Sequence, residues 1–336
     1  MTAPRTGPEP RASTREVVLE VHGLSKTYRS AGRGGTPKRA NENLSLTVHA
    51  GEVVALLGPN GAGKSTFLRQ VGGQLLPTAG EIRVAGVDMI ASPREAKQFL
   101  SAIPQECQPI SSLSAEEQVL GFGLIKGLPR AGARAEVRAI LESVGLTSER
   151  GKVARELSGG YKRRLLIAIA IAGARPRLML LDEPTTGLDP EARRAVWQVV
   201  HRLRAQGIGI LLTTHYIEEA EYLADRVVII HEGRFALEGS VGELRARLPY
   251  RGRIDLRDLD RLGPGPLRRV DELLRRSAVA FRSPAYLRLQ VPDPFSADTL
   301  ALLHELTELG VSATLSPASL EDAYLSVVGA LEERSG

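Results

Sequence analysis

The sequence predicts an α/β fold in which helices cover a parallel β-sheet, followed by a smaller α+β domain. Continuous apolar runs that end at turn residues, such as residues 53–57 and 178–181, are typical of buried parallel strands. Amphipathic helical stretches at about 160–173 and 190–206 alternate with such runs, and this alternation favours a sheet with helices on its faces. After His231, dense arginine and the breaks PYRGR and GPGP indicate a second, smaller domain.

Length and composition are those of a globular protein with two domains. The chain has 336 residues, of which 43% are hydrophobic and 25% are charged. Its longest nearly uninterrupted apolar stretch, residues 165–174, is far shorter than the roughly twenty residues that span a bilayer, so we expect no membrane helix. Residues 1–16 are rich in proline, arginine and threonine and lack an apolar core, which predicts a disordered tail rather than a secretory signal.

Charge and cysteine content exclude some classes of protein. The single cysteine, Cys107, excludes an intramolecular disulfide framework and fits a reducing compartment, and we interpret it as an incidental loop thiol. The formal net charge is +5, from 37 arginines and 7 lysines that are spread along the chain among acidic residues. We interpret this charge as solvated surface with a slight preference for an anionic membrane face, and we expect no nucleic-acid partner.

The first elements of the chain are predicted from the period of their apolar residues. Residues 17–21 and 44–48 alternate between apolar and polar, which predicts two half-buried strands, and RSAGRGGTPKR between them is typical of a flexible loop. Residues 53–57 predict a buried strand that leads through Gly58 into a turn and a helix.

Helix starts are indicated by capping sequences. Ser92-Pro93 with Glu95, and Ser114 with Glu117, are of the capping-box kind, so we expect a mostly helical insertion over roughly 93–150.

The later elements follow the same logic. A further strand is predicted at 208–213, and a domain boundary is expected near 240–250. Near the end of the chain, Ser319 can cap a helix from 320 to about 332.

GPNGAGKST, which follows the strand at 53–57, fits the phosphate-binding pattern G-x-x-x-x-G-K-[ST]. Its glycines let backbone N–H groups and a helix N-terminus face one anion. Lys64 adds a point charge for the outer phosphates, and the Ser65 hydroxyl is a hard ligand suited to Mg²⁺. A dinucleotide pattern would need glycine at Thr66. The predicted phosphate-contacting residues are Gly58, Pro59, Asn60, Gly61, Ala62, Gly63, Lys64, Ser65 and Thr66.

Two adjacent acids end the strand at 178–181. Ligands of open α/β sheets bind at the carboxyl ends of strands, and adjacent strand residues face opposite ways. We therefore expect Asp182 to approach Mg²⁺ and Glu183 to face the attacking water as the general base of hydrolysis.

LSGGY at 157–161 resembles the signature sequence of the ATP-binding-cassette ATPases. Further landmarks of that family then occur in order: Tyr28, Gln105 in IPQE, Leu188-Asp189 in TTGLDP, and His215 in LLTTH. The resemblance covers roughly residues 17–240. It implies a cassette of the P-loop NTPase class, with a parallel sheet core, an antiparallel β subdomain and a helical subdomain at about 93–175. Residues 241–336 would then form the small C-terminal α+β domain.

The resemblance also implies roles for single residues. Tyr28 would stack on adenine, and Asp189 would contribute to nucleotide binding. Gln105 would meet both Mg²⁺ and the segment that touches a membrane partner, and His215 would contact the γ-phosphate. With Lys64 and Glu183, the latter two complete the expected catalytic set, and Ser65, Gln105 and Asp182 form the expected metal set.

A second cassette is implied as well. By resemblance, Ser158 and the N–H groups of Gly159 and Gly160 contact the γ-phosphate held by a facing cassette, and glycines that open an apolar helix do form an anion site. Two such half-sites per subunit require a two-fold dimer, formed by a second copy or a paralogue. Tyr161 departs from the glutamine that the family often has at this position.

GRFALEGSVGELRARL and the final SLEDAYLSVVG resemble subunits that drive export through a separate permease. We therefore predict an ATP-hydrolysing subunit, cytoplasmic and peripheral on the inner face of the plasma membrane, that energises export of a small molecule, drug, lipid or glycan. Three alternatives remain open: an importer subunit, a soluble mechanical ATPase, and a module that binds ATP without hydrolysing it. The soluble ATPases usually carry two cassettes or a long coiled coil, and neither is visible here.

Overall fold

The computed structural model describes residues 15–28, 37–274, 278–282 and 286–335. The predicted disordered tail lies outside the described residues except at its end, where the carbonyl of Glu16 accepts a hydrogen bond from Ala50 N (2.8 Å). Most of the predicted flexible loop, residues 29–36, also lies outside them.

The elements in chain order are β1 (Val17–Tyr28), β2 (Lys38–His49), β3 (Val53–Leu57), α1 (Lys64–Val71), β4 (Ala79–Val84), β5 (Val87–Asp88), α2 (Pro93–Ala96), β6 (Leu100–Ile103), α3 (Ala115–Ile125), α4 (Ala133–Ser143), α5 (Gly159–Ile171), β7 (Leu178–Asp182), α6 (Pro190–Ala205), β8 (Gly209–Thr214), α7 (Ile217–Leu223), β9 (Arg226–His231), β10 (Arg234–Gly239), α8 (Val241–Ala246), β11 (Gly252–Arg257), α9 (Pro264–Leu274), β12 (Ala278–Arg282), β13 (Tyr286–Val291), α10 (Ala297–Glu308), β14 (Ser312–Pro317) and α11 (Leu320–Ser335). Short 3₁₀ helices lie at Lys97–Phe99, Ala154–Glu156 and Leu259–Arg261.

The chain forms two compact units. The first comprises Met1–Tyr216, Leu223–Asp225 and Ile230–Phe235, and the second comprises Ile217–Tyr222, Arg226–Ile229 and Ala236–Gly336. Because the chain passes from one to the other several times, no single residue separates them.

A mixed sheet with the strand order β10-β9-β3-β8-β7-β6 forms the centre of the cassette. Strands β3, β7 and β8 are parallel, as predicted, and β6 extends the parallel arrangement at the edge of the sheet. Every residue of β3, β7 and β8 is buried, which is why these strands are continuous apolar runs instead of alternating ones. Each fully buried Val or Leu contributes about 1.5–3 kcal/mol to folding, so the positions of these strand ends are strongly determined.

A second, antiparallel sheet of four strands has the order β2-β1-β4-β5. Its strands β1 and β2 contain the predicted half-buried stretches and extend well beyond them. The predicted fold class, a parallel core with an antiparallel β subdomain and helices, is confirmed.

The helical insertion differs from the prediction in two respects. Strand β6 pairs with β7 inside the segment predicted to be mostly helical, because four residues are too few to show a period. Ser92 precedes α2 but its side chain makes no capping hydrogen bond, since its backbone (φ −130°, ψ 59°) is not in the extended cap conformation.

The predicted capping box at Ser114 is confirmed. The Ser114 hydroxyl accepts from Glu117 N (3.3 Å), and the Glu117 carboxylate accepts from Ser114 N (2.8 Å). Helix α3 begins directly after this box.

The second unit contains a small α+β arrangement, as predicted. Its antiparallel sheet has the order β12-β13-β11-β14, and its core is apolar, with Ile254, Leu256, Leu287, Leu289 and Leu306 all fully buried. The predicted cap of α11 is also confirmed, because the Ser319 hydroxyl accepts from Asp322 N (3.4 Å) and the Asp322 carboxylate accepts from Ser319 N (2.8 Å).

Among the residues that the structure describes, no helix combines the length and the apolar character that crossing a membrane requires.

Candidate nucleotide site

The turn between β3 and α1 has a shape that only glycine permits at several positions. Gly61 and Gly63 have φ values of +84° and +106°, in the left-handed region. A Cβ on Gly63 would lie 2.4 Å from Ala40 O, and one on Gly58 would lie 2.4 Å from Ile230 O. With these glycines the loop curves around the N-terminus of α1, where the first N–H groups of a helix lack intrahelical partners and favour an anion.

A cleft of about 700 Å³ opens above this turn, a volume typical of small-molecule sites. Its walls come from separate parts of the chain, among them the phosphate loop, the loop after β6, the end of β7 and the end of β8. The lining residues are Tyr28, Lys38, Ala40, Asn60, Gly61, Gly63, Lys64, Ser65, Thr66, Gln105, Glu183, Thr186 and His215.

Lys64 is held at the floor of the cleft with only 4% of its surface exposed. Its Nζ donates to Gly58 O (2.8 Å) and Pro59 O (3.0 Å) and lies 3.8 Å from Glu183 Oε1. Burial lowers the pKa of Lys64 below 10.5, although Glu183 and Asp182 oppose this shift. The ammonium group is therefore held by hydrogen bonds to the loop, and the two carboxylates offset only part of the cost of burying its charge.

Ser65 and Asp182 form a pair of hard oxygen donors next to Lys64. Ser65 Oγ donates to Asp182 Oδ1 (3.1 Å), and Thr213 Oγ1 donates to the same oxygen (2.6 Å). Asp182 is buried at the carboxyl end of β7. A hydroxyl and a carboxylate at this separation suit Mg²⁺, which takes oxygen ligands.

Glu183 is buried and its carboxylate is surrounded by polar groups of the cleft. Gln105 Nε2 and Thr186 Oγ1 each donate to Glu183 Oε2 at 3.0 Å. His215 Nδ1 lies 3.3 Å from Glu183 Oε1. This contact is an ion pair only when the imidazole is protonated, and its geometry is not that of a hydrogen bond. With Lys64 Nζ at 3.8 Å, all four predicted catalytic residues thus meet at the Glu183 carboxylate.

The backbone of Glu183 is strained. Its φ is +45°, a value that costs a residue with a side chain about 1–3 kcal/mol. Its N–H donates to both Thr213 Oγ1 (3.0 Å) and Thr213 O (3.2 Å), and its carbonyl accepts from Arg163 Nη2 (2.8 Å). These bonds hold the turn in a conformation that directs the carboxylate toward the cleft.

Tyr28 lies at the rim of the cleft and is 41% exposed. The ammonium of Lys26 lies 5.5 Å from the centre of its ring, so the ring is already polarised by a cation. A flat aromatic face at the edge of a phosphate site is suited to a purine base.

The predicted signature residues do not line this cleft. Ser158 and Gly159 are exposed at the N-terminus of α5, and a Cβ on Gly160 would lie 2.6 Å from Ala192 Cβ on α6. Asp189 caps α6, since its carboxylate accepts from Ala192 N (2.9 Å). The remaining predicted loop residues, Gly58, Pro59 and Ala62, shape the turn from outside the cleft lining.

Three polar residues of the site were not predicted. Thr213 and Thr186 lie within the LLTTH and TTGLDP motifs, and this position in the sequence could have identified them as site residues. Arg163, one of 37 arginines, carried no such signal.

A glycine-lysine loop, a half-buried serine beside a buried aspartate, and a second buried carboxylate at one cleft define a P-loop nucleotide-binding protein. Residues 41–186 match the family model described as ABC transporter. The daunorubicin/doxorubicin resistance ATP-binding protein DrrA of Streptomyces peucetius is 36% identical over 316 residues, which are 93% of this chain and 92% of that protein. The Nod factor export ATP-binding protein I of Burkholderia lata is 38% identical over 286 residues, 85% of this chain and 91% of that protein.

Solved structures agree with this grouping. An ATP-binding subunit of an ABC transporter matches with a TM-score of 0.59 and 31% identity over 68% of this chain and 92% of that one. A dimeric ATP-binding cassette in a post-hydrolysis state with ADP and Pi matches with a TM-score of 0.58 and 25% identity, over 66% and 98%. The chain therefore belongs to the ABC transporter family, as an ATP-binding subunit of the exporter type.

Proposed function

We propose that this chain hydrolyses MgATP in a dimer of cassettes and thereby energises export through a separate membrane permease. The observation that carries the ATPase part is the Glu183 carboxylate, which is buried beside the phosphate loop with Gln105, Thr186 and His215 around it. A buried base directed at a phosphate site is what hydrolysis of a phosphoanhydride requires.

In this mechanism Glu183 takes a proton from the water that attacks the γ-phosphorus. Gln105 and Thr186 orient the carboxylate by donating to its Oε2, while His215 approaches its Oε1. Lys64 stabilises the negative charge on the outer phosphate oxygens, and the N–H groups at the start of α1 share that task.

Ser65 and Asp182 are the residues that would hold Mg²⁺, with Gln105 as a further candidate ligand. When bound there, Mg²⁺ would neutralise part of the negative charge of the nucleotide's phosphates. Asp182 is already held by hydrogen bonds from Ser65 and Thr213, so its carboxylate is oriented before any ligand enters.

The dimer is proposed because the exposed Ser158 and Gly159 lie outside this chain's own cleft. Residues at the N-terminus of α5 can contact a nucleotide only if that nucleotide is held by another cassette, either a second copy or a paralogue. Asp189, which caps α6, would face the same interface. Among the solved relatives, a dimeric cassette is bound to ADP and Pi.

Export is proposed over import because relatives named for drug resistance and for Nod factor export cover most of this chain. A small molecule, drug, lipid or glycan would be the exported substrate, and a separate permease would contact it. The chain would then work in the cytoplasm, on the inner face of the plasma membrane. Co-purification with a tagged permease from the same organism tests the partner.

Glu183→Gln tests the ATPase proposal. The amide cannot accept the proton, so we expect ATP turnover to fall by about 10²- to 10⁴-fold. Binding of a fluorescent ATP analogue should remain, because Lys64 and the loop are unchanged. A control, Glu142→Gln on α4, lies outside the cleft and should keep the wild-type rate. Turnover near wild type in Glu183→Gln would remove the assignment of the base.

A further inference from the structure

Arg163 joins three segments that build the site. It lies on α5, the helix that begins after Ser158, and is 9% exposed. All three nitrogens of its guanidinium donate to backbone carbonyls: Nε to Pro184 O (2.7 Å), Nη2 to Glu183 O (2.8 Å) and Asp182 O (3.2 Å), and Nη1 to Pro104 O (3.3 Å).

Three of these carbonyls are consecutive: Asp182 ends β7, and Glu183 and Pro184 begin the turn after it. That turn contains the positive φ of Glu183, which a residue with a side chain adopts only when its surroundings enforce it. A planar guanidinium has donors in several fixed directions and can hold three successive carbonyls at once, whereas an ammonium group cannot match that geometry. Arg163 thus sets the direction in which the Glu183 side chain leaves the backbone.

The fourth carbonyl belongs to Pro104, directly before Gln105. Gln105 Nε2 donates to Glu183 Oε2 at 3.0 Å. One guanidinium therefore anchors the backbone on both sides of the Gln105–Glu183 hydrogen bond, and a loss of the anchor would displace the two partners independently.

We propose that Arg163 is a positioning residue for ATP hydrolysis. It holds the general base and Gln105 in the reactive arrangement and ties both to the helix whose N-terminus faces the partner's nucleotide in the proposed dimer. This inference rests on the proposed function, because it assigns to Arg163 an effect on Glu183 that matters only if Glu183 acts as the base.

Arg163→Lys and Arg163→Gln test the proposal in the full-length protein. Lysine keeps the positive charge but lacks the planar set of guanidinium donors, and glutamine keeps part of the hydrogen bonding but not the charge. For both we expect kcat to fall by about 10- to 100-fold, since small displacements of reacting groups cost that much. The KM for ATP should stay within about twofold, because the phosphate loop and Tyr28 are untouched.

The matched control is Arg164→Lys. Arg164 is the next residue of the same helix and also donates to two carbonyls, Val144 O (3.0 Å) and Gly145 O (2.8 Å), but neither belongs to the cleft. We expect this variant to keep the wild-type kcat, and thermal unfolding of all variants shows whether each remains folded.

A double variant separates positioning from a general structural effect. If Arg163 acts through Glu183, then adding Arg163→Gln to Glu183→Gln should reduce turnover by less than about twofold, because the base is already absent. If the two losses multiply, or if both Arg163 variants turn over at the wild-type rate, the proposal is overturned. Should Arg163→Gln not fold, Arg163→Lys takes its place in each comparison. A wild-type protein without ATPase activity would contradict the proposed function itself, which is a distinct outcome.

Discussion

Among single residues, Thr213 has contacts with both acidic residues of the site. Its hydroxyl donates to Asp182 Oδ1 (2.6 Å) and accepts from Glu183 N (3.0 Å). Because all of these groups are buried, the hydroxyl orients the proposed magnesium ligand and the proposed base together.

Thr213→Val should therefore lower the free energy of unfolding and weaken the binding of Mg²⁺. Leaving buried partners without the hydroxyl costs about 1–3 kcal/mol in the free energy of unfolding, measured by urea titration. The ATPase should also need more Mg²⁺ for half-maximal activity. Thr213→Ser keeps the hydroxyl and should restore most of both properties; a valine variant with wild-type stability and magnesium dependence would contradict the role given to this group.

The lowered pKa of Lys64 predicts how nucleotide affinity depends on pH. Burial lowers its pKa below 10.5, and the charged form is the one that attracts phosphate. Affinity should fall as the pH rises through the lowered pKa of Lys64, so the alkaline decline begins at a lower pH than free lysine would give. Titration of a fluorescent ATP analogue against pH measures this decline.

Lys126 provides the control for that titration. Burial lowers its pKa too, but its ammonium donates to Ile169 O (2.8 Å) and Ala170 O (3.0 Å), away from the cleft. Lys126→Gln should therefore retain the alkaline decline. If the decline disappears in this variant, Lys64 is not its origin.

Among the elements, α5 and α6 approach closely because of a glycine. A Cβ on Gly160 would lie 2.6 Å from Ala192 Cβ and 3.3 Å from Ala192 Cα, and neither atom can move without moving the helix. At the exposed start of α5, a Cβ on Gly159 would lie 3.1 Å from Leu188 Cδ2, so the same two glycines serve helix packing and the proposed interface.

Gly160→Ala should separate these helices. Overpacking of this kind costs about 1–3 kcal/mol, measured as the change in the free energy of unfolding. Gly121 on α3 is the matched control, since nothing lies within 4 Å of a Cβ placed there. Gly121→Ala should stabilise the protein by about 0.5–1 kcal/mol, because alanine favours the helix. Equal effects at the two positions would exclude a packing role for Gly160.

For the whole molecule, the proposed dimer predicts a change of mass on ATP binding. The Glu183→Gln variant retains its ATP, so with MgATP it should sediment at about twice the monomer mass of 36.2 kDa. With ADP it should remain monomeric. Adding Ser158→Arg should prevent dimerisation, because a long charged side chain would replace the exposed hydroxyl in the interface. Dimers that persist in this variant would argue against a γ-phosphate contact at Ser158.

Much of the cassette could be predicted from local pattern. Strands β3, β7 and β8 are short apolar runs that end at recognisable turns, and the capping box at Ser114 predicts the start of α3. The chemistry of the phosphate loop follows from its own spacing, since Gly63 and Lys64 act within a few residues of each other. Strand β6 was not predicted, because its four residues are too few to show a hydrophobic period.

The sequence by itself determined the phosphate loop, the acidic pair after β7, the positions of strands β3, β7 and β8, and the family to which they point. Only the tertiary structure decided that Gln105, Thr186 and His215 surround one carboxylate, that Thr213 bridges the two acids, and that Arg163 anchors the turn. The reason is physical: motifs record contacts between near neighbours in the chain, whereas these contacts join distant segments that the sheet brings to one edge.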